Sequence, residues 1–174
     1  MFFLQMAGFP GSGKSTLARE VSKHTGAVVL DHDVTKSAFI QSLENTEIDG
    51  KVVGAVTYDV EWALIDSLLA QGHSVIFDSP CFYTEGLENG ISLAEKHGAE
   101  YKYVECYIDN IEEVNKRLKQ RERLMSQIES IELEVVFTYS IHNSKKPEQY
   151  PHIRVYSSEP LDSYIHKVLA YIAE

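Results

Sequence analysis

The chain has 174 residues, 44% of them apolar and 24% charged, which fits one globular domain and excludes disordered and collagen-like chains. Sixteen basic residues against twenty-six acidic ones give a net charge of −10, which opposes broad binding to nucleic acid or to an anionic membrane. Two cysteines, no basic leader and no apolar run of about 20 residues predict a cytoplasmic protein without a membrane span.

The first predicted strand runs directly into a glycine-rich loop and a predicted helix. The loop reads Gly8-Phe9-Pro10-Gly11-Ser12-Gly13-Lys14-Ser15 and fits the Walker A pattern G-x-x-x-x-G-K-[ST] at every fixed position. Glycines in this setting let backbone N–H groups converge on a phosphate, and the helix N-terminus adds a favourable dipole. We expect Lys14 to reach the β- and γ-phosphates and Ser15 to bind Mg²⁺. The segment therefore predicts binding of ATP or GTP through Gly8, Gly11, Ser12, Gly13, Lys14, Ser15 and Thr16.

Carboxylates follow the second and third predicted strands, as Asp31-His32-Asp33 and as Asp78. Ligands of open α/β sheets bind outside the carboxyl ends of the strands, so these acids should face the phosphate loop. If the second strand continues, Asp31 and Asp33 point to one side and His32, a structural or substrate-lining residue, points to the other. Asp31 and Asp78 are the candidate metal ligands, and Asp33 is the candidate for orienting an acceptor hydroxyl. Any of the three acids could be the base, and each could instead cap a helix or only meet solvent.

Apolar runs alternate with helical patterns along the whole chain. Most runs are continuous, as strands buried on both faces of a parallel sheet require. Gly26, Gly72 and Gly98 each follow a helical pattern and precede a strand, as helix-ending glycines do. This order predicts a doubly wound, five-stranded parallel α/β sheet in one domain, residues 1–174. The predicted strands cover residues 2–7, 27–30, 74–77, 101–108 and 153–156, and the helical stripes are Leu17 and Val21, then Leu64, Leu68 and Leu69, then Leu87, Ile91 and Ala94, and last Leu161, Ile165, Val168, Leu169 and Ile172.

Two stretches interrupt the alternation. Residues 42–54, with Asn45, Asp49 and Gly50, are predicted to be a polar loop between two helices. Residues 140–151 contain two prolines and are predicted to be irregular. Neither stretch is long enough to link two domains.

A basic cluster stands out in this acidic chain. Residues 116–123 hold five of the sixteen basic residues and only one acid. The apolar spacing over residues 111–125 puts Arg121 in phase with the buried stripe of a helix, where an arginine needs an anionic partner such as a triphosphate. The alternative is a solvated helix whose own glutamates neutralise the arginines.

With these residues in place, the chain resembles the small P-loop kinases of the adenylate-kinase-like group, which includes shikimate and gluconate kinases, chloramphenicol phosphotransferase and zeta-toxin-like proteins. The resemblance implies a P-loop NTPase fold with ATP and Mg²⁺ as cofactors and a mobile lid at approximately residues 117–150. One acid of the Asp31-His32-Asp33 segment would serve the metal and the other the acceptor. The matching segments are residues 2–16, 27–36, 74–80, 112–123 and 152–172.

The resemblance also implies roles at the nucleotide base. Arg117 and Arg121 match the R-x-x-x-R at the start of the lid in these kinases. The first of these arginines would stack on adenine, and the second would contact phosphate. Residues 157–160, after the last strand, would form the loop that contacts adenine.

The segment after the second strand bears on the acceptor. Residues 31–62 contain seven acids, no arginine, and only Lys36 and Lys51 as basic residues. This excess of acids would repel a phosphorylated or carboxylated acceptor, so we expect a neutral or cationic one. Four aromatic residues could stack on it or belong to the core, namely Tyr58, Trp62, Phe82 and Tyr83.

The sequence thus predicts an ATP-dependent kinase that transfers the γ-phosphoryl group to a hydroxyl of a small neutral or cationic molecule. Lys14, Asp33 and Arg121 are its candidate catalytic residues. One alternative is a nucleotide-dependent switch or accessory ATPase that acts through a protein partner. A polynucleotide 5′-hydroxyl kinase is the least favoured alternative at this net charge.

Overall fold

The computed structural model describes residues 1–44 and 47–174. Within these residues, five parallel strands form a sheet in the order β2-β3-β1-β4-β5, which confirms the predicted doubly wound fold. None of the described helices is both long and apolar enough to cross a membrane. The strands are β1 (Phe2–Ala7), β2 (Val28–Asp31), β3 (Val75–Asp78), β4 (Glu100–Tyr107) and β5 (Ile153–Tyr156). The helices are α1 (Lys14–Thr25), α2 (His32–Ser42), α3 (Gly50–Ala70), α4 (Thr84–His97), α5 (Ile111–Gln120), α6 (Glu134–His142) and α7 (Leu161–Ala173).

The central strand, β1, is covered on both faces. Leu4 and Met6 belong to the core cluster that contains residues of α1 and α7. Phe3 and Ala7 belong to the cluster on the other face, which contains residues of α3 and α4. Burial of both faces explains why five of the six residues of β1 are apolar. The exception, Gln5, is buried with hydrogen-bond partners for its side chain.

The ends of the helices agree in part with the sequence. Gly26 and Gly98 are left-handed C-caps of α1 and α4, as predicted. The predicted loop at residues 42–54 is too long, because α3 already begins at Gly50, where the Asp49 side chain accepts a hydrogen bond from the Lys51 N–H. Asn45 lies outside the described residues. Residues 140–151 are helical as far as His142, in α6, which the sequence did not predict, and irregular beyond it.

The predicted apolar stripe of α3 is wrong at Leu64, which is exposed. The buried residues of this helix instead recur at every fourth position along the chain. Two of these residues, Thr57 and Glu61, are polar, and they hide the helical period from a pattern built on apolar residues. The buried line is Val53, Thr57, Glu61, Ile65 and Leu69.

A buried carboxylate near the end of β4 ties the irregular region after α6 to the sheet. Glu105 Oε2 accepts a hydrogen bond from Arg154 Nε at 2.6 Å and lies 3.5 Å from Lys146 Nζ. Ser144 Oγ donates to the other carboxylate oxygen. The buried charge is therefore paired and hydrogen-bonded, as burial requires.

We expect Glu105→Gln to lower the free energy of unfolding by about 3 kcal/mol, because it leaves two basic groups without their buried counter-charge. Urea denaturation measures the change. Glu100→Gln is the matched control, since Glu100 lies on the same strand with its side chain 61% exposed. The control should change stability by less than about 0.5 kcal/mol. Equal losses in the two variants would contradict the importance of the buried pair.

Candidate active site

A cleft of about 1510 Å³ opens where the strands end, beside the loop between β1 and α1. It brings together most of the residues that the sequence predicts for the site. Gly8 and Ser12 do not line it, and Ser12, although part of the loop, is fully buried. The predicted residues that line the cleft are Gly11, Gly13, Lys14, Ser15, Thr16, Asp31, Asp33, Asp78, Arg117 and Arg121.

The first turn of α1 offers backbone donors to this cleft. Gly13 is its N-cap in a left-handed conformation, and among the described residues no side chain caps the helix and no acid lies in its first turn. The first N–H groups of α1 are therefore free for another acceptor, and the helix dipole makes this end positive. By contrast, the Asp31 side chain caps α2. The start of α1 fits an anion such as phosphate.

Lys14 lies against this loop and is only 9% exposed. Its Nζ donates hydrogen bonds to the carbonyl oxygens of Gly8, at 2.9 Å, and Phe9, at 3.3 Å. An ammonium group has three N–H donors, so one remains for a ligand. The two carbonyls thus hold the positive charge beside the free N–H groups of α1.

Asp78, at the end of β3, is a buried carboxylate with an unused oxygen. Oδ2 has no hydrogen-bond partner among residues 1–44 and 47–174. Burial raises the pKa of Asp78 to about 6, whereas the Lys14 charge and a hydrogen bond from the Ser15 side chain act to lower it. Asp31 occupies the paired position on the neighbouring strand, so both carboxylates end the sheet at the same edge.

These groups fit Mg²⁺. The ion uses one or two carboxylates together with substrate phosphates and waters, and it does not need a cage of protein ligands. The described residues contain no group of three or more His, Cys, Asp and Glu side chains that could hold a metal by themselves. The unused oxygen of Asp78, the Ser15 hydroxyl and the Asp31 carboxylate supply a donor set of the kind that Mg²⁺ takes with a nucleotide.

The second strand does not continue to Asp33, so Asp31 and Asp33 do not share one face of a strand. β2 ends at Asp31 and α2 begins at His32, because the Asp31 side chain accepts two backbone N–H groups of the first turn. Asp33 lies in that turn, and its carboxylate accepts hydrogen bonds from Ser126 Oγ at 3.0 Å and Gln127 Nε2 at 2.9 Å. The candidate hydroxyl-orienting residue is therefore joined to the predicted lid.

The helical phase predicted for Arg121 is also wrong. α5 ends at Gln120, and Arg121 is its C-cap with an extended backbone. The side chain nevertheless lines the cleft, where its Nη2 donates to the Ile128 carbonyl at 2.9 Å. Its Nε is buried without a partner among the described residues. Burial lowers the pKa of Arg121 and the Asp33 carboxylate raises it. A phosphate would supply the missing acceptor.

Arg117 joins α5 to the loop after β5. Its Nη2 donates to the Ser157 carbonyl at 2.8 Å, and its Nε donates to Glu113 at 2.9 Å. Arg117, Ser157 and Glu159 all line the cleft. The arginine expected to stack on adenine thus contacts the loop that is expected to meet the base.

The part of the cleft that is lined by residues within 31–36, 50–58 and 82–85 is called the acceptor end here. Its charges differ from those counted along the sequence. Both Lys36 and Lys51 line the cleft, but of the seven acids in residues 31–62 only Asp31 and Asp33 do. Of the other five, Glu61 is buried on α3, and Glu44, Glu47, Asp49 and Asp59 do not line the cleft. The excess of acids in the sequence is therefore not an excess in the cleft.

The aromatic residues divide between cleft and core. Tyr58, Phe82 and Tyr83 line the cleft. Trp62 packs edge-on against Phe77, with ring centroids 4.9 Å apart, in the core beneath β3. Burial raises the pKa of the nearby Cys81 thiol to about 12, and this residue belongs to the core rather than to the cleft lining.

Sequence reasoning missed a buried pair at this end of the cleft. Glu61 is fully buried on α3, and its Oε2 lies 2.8 Å from His32 Nδ1. The His32 ring stacks on Tyr58 with centroids 4.3 Å apart. The fourfold spacing of Glu61 with Ile65 and Leu69 was the available signal that this acid faces inward.

Comparison with known proteins identifies a family and a set of structures with the same fold. A family model described as an AAA domain matches residues 4–137, more than half of the chain. We found no match among curated proteins. Solved structures described as kinases share the fold over nearly the whole chain. Their sequence identities to this chain are under 25%, so the likeness shows the fold alone.

Three solved structures, two of them described as kinases, illustrate the likeness. A candidate kinase from Chloroflexus aurantiacus is 16% identical over 98% of this chain and 97% of that one, with a TM-score of 0.75. A gluconokinase from Sinorhizobium meliloti is 16% identical over 99% and 91%, with a TM-score of 0.63. Kti12 from Chaetomium thermophilum, solved with ADP-AlF3, is 14% identical over 99% and 100%, with a TM-score of 0.67. The resemblance to small P-loop kinases is confirmed.

Proposed function

The chain belongs to the AAA domain family, and from this premise we propose that it is an ATP-dependent kinase that phosphorylates a hydroxyl of a small molecule. The observation that carries the proposal is the pairing of two features in one cleft. The uncapped start of α1, with Lys14 beside it, fits phosphates. The buried, unpartnered oxygen of Asp78 fits the Mg²⁺ that accompanies them.

The nucleotide would be held at its phosphates and at its base. The free N–H groups of α1 and the third N–H of Lys14 bind the phosphates. Ser15, Asp78 and Asp31 hold Mg²⁺, which neutralises charge on the β- and γ-phosphates. Arg117, fixed by the Ser157 carbonyl, stacks on adenine.

The transfer step needs charge stabilisation and an oriented hydroxyl. The hydroxyl oxygen forms a bond to the γ-phosphorus while the bond to the β–γ bridging oxygen breaks and ADP leaves, and the hydroxyl proton passes to a base, for which Asp33 is the candidate. Arg121, with its unpaired Nε–H, stabilises the charge on the transferring group. To act as the base, Asp33 would exchange a hydrogen bond from Ser126 or Gln127 for one from the acceptor hydroxyl.

The acceptor we propose is neutral. The acceptor end combines the two ammonium groups of Lys36 and Lys51 with the carboxylates of Asp31, Asp33 and Glu85. These charges nearly cancel, and one carboxylate is assigned to Mg²⁺. A cleft with nearly balanced charges favours a neutral acceptor over a strongly charged one, which narrows the neutral or cationic class expected from the sequence.

A second candidate is an accessory ATPase or switch that acts through a protein partner. The contacts of Asp33 with Ser126 and Gln127 favour it, because both oxygens of this carboxylate are occupied by side chains of the chain itself. Under this reading the cleft hydrolyses ATP without an acceptor, and Asp33 reports the position of residues 117–150 to a partner.

A panel of hydroxyl compounds distinguishes the two. We expect ADP release from Mg·ATP to rise at least about tenfold with one neutral compound among glycerol, glucose and adenosine. Ethanolamine should stimulate less, and gluconate and glycerol 3-phosphate least, because of their charge. ³¹P NMR should show a new phosphate ester. Slow ADP release that no compound stimulates, with inorganic phosphate as the product, would support the accessory ATPase instead.

A further inference from the structure

A buried carboxylate and a histidine form a hydrogen-bonded pair beneath the acceptor end of the cleft. Glu61 is 0% exposed, and its Oε2 lies 2.8 Å from His32 Nδ1. Its Oε1 has no partner within residues 1–44 and 47–174. A buried carboxylate with one unused oxygen costs stability relative to an apolar side chain of similar volume. Packing alone therefore does not account for Glu61 at this position.

The pair leaves one ring nitrogen of His32 open to the cleft. His32 lines the cleft, and its ring is held by the stack on Tyr58, at an interplanar angle of 21°. Nδ1 is used by Glu61, whereas Nε2 has no hydrogen bond in the described part of the chain. The polar atoms there that are both fully buried and without a partner do not include Nε2, so this nitrogen keeps some contact with solvent. Because His32 lines the cleft, Nε2 can be reached from it.

Glu61 leaves only Nε2 for a ligand, since it holds the other ring nitrogen. Nε2 can bind a hydroxyl in either state of the ring. It accepts a hydrogen bond from the O–H group when it carries a lone pair, and it donates one to the hydroxyl oxygen when it carries a proton.

His32 has an unused ring nitrogen, whereas the carboxylate of its neighbour is already engaged. Both oxygens of Asp33 accept hydrogen bonds, from Ser126 and Gln127. His32 Nε2 is open without any rearrangement of these contacts. Both residues line the cleft.

We propose that His32 binds the hydroxyl of the acceptor through Nε2, and that Glu61 and Tyr58 position its ring. The proposal rests on the kinase function and deepens it: the acceptor is a compound whose hydroxyl forms a hydrogen bond with Nε2 of His32. His32 contacts the substrate, whereas Glu61 acts through His32.

Two substitutions separate the ring nitrogens. His32→Asn keeps an amide N–H near the position of Nδ1, so the bond to Glu61 can persist, but nothing remains at the position of Nε2. His32→Gln extends a carbonyl oxygen towards the position of Nε2. His24→Asn is the matched control, because His24 is exposed on α1 and lies outside the cleft.

We expect the Asn variant at His32 to raise the KM of the most stimulating neutral compound about tenfold and to change the KM of ATP less than about twofold. The Gln variant should stay within about threefold of wild type, and His24→Asn should be unchanged. An unaltered acceptor KM in His32→Asn would overturn the proposal. Equal losses in the Asn and Gln variants would also overturn it, since they would show that packing of the ring matters rather than Nε2.

A second measurement does not depend on turnover. Long-range ¹H–¹⁵N NMR spectra follow each histidine nitrogen separately, and the His32 signals are those lost in His32→Gln. With Mg·ADP bound, glycerol as the hydroxyl probe should shift the Nε2 resonance and leave Nδ1 in place. A fixed Nε2 resonance would overturn the hydroxyl site. A shifted Nε2 resonance with no stimulated ADP release would support the site and count against the kinase function, so the two failures are distinguishable.

Discussion

Lys14→Met is expected to lower acceptor-stimulated ADP release about a thousandfold. The ammonium group of Lys14 is the one positive side chain buried against the phosphate loop in the described part of the chain. Methionine keeps the length of the stem, so the loss reports the charge and its donors rather than a cavity. Steady-state rates at saturating Mg·ATP, together with binding of a fluorescent ADP analogue, measure the effect.

The control for this loss is a lysine on the same helix. Lys23 is paired with Glu20, and its side chain is 72% exposed. Lys23→Met should keep the wild-type rate within about twofold. Urea denaturation of both variants checks that the loop still folds, because Lys14 Nζ also bonds the Gly8 and Phe9 carbonyls. More than a tenth of the wild-type rate in a folded Lys14→Met protein would contradict the assignment.

The phosphate-binding part of the site could be predicted because its geometry is local. Gly8 to Ser15 are consecutive, and the strand before them and the helix after them are both evident from apolar patterns. The same holds for the sheet, whose strands are continuous apolar runs because both faces are covered. Asp78 was also predictable, since it ends such a run.

The acceptor end could not be predicted because its contacts join distant parts of the chain. His32 and Glu61 are 29 positions apart, and Asp33 and Ser126 are 93 apart. No local pattern encodes either contact. The sequence also left open whether the acids after β2 bind a ligand or cap a helix, and only the hydrogen bonds to the next turn show that Asp31 caps α2. The position of Arg121 depends on where α5 ends, which the apolar spacing does not show.

Gly8→Ala is expected to lower the free energy of unfolding by about 4 kcal/mol. A Cβ atom at Gly8 would lie 2.3 Å from the Cys106 carbonyl oxygen and 2.6 Å from Ser12 Oγ. The carbonyl belongs to β4, which is paired with strands on both sides and cannot easily shift. The backbone of Gly8 also has a φ of 135°, which side chains rarely adopt.

Two further glycines separate the clash from the backbone strain. Gly26 has a φ of 73° but open space around its Cβ position, so Gly26→Ala should cost about 1 kcal/mol from strain alone. Gly50 has neither problem, and Gly50→Ala should change stability by less than about 0.5 kcal/mol. Urea denaturation of the three variants gives the series. A Gly8→Ala protein no less stable than Gly26→Ala would show that β4 yields to the new methyl group. That result would also remove the steric reason for a glycine at the start of the phosphate loop.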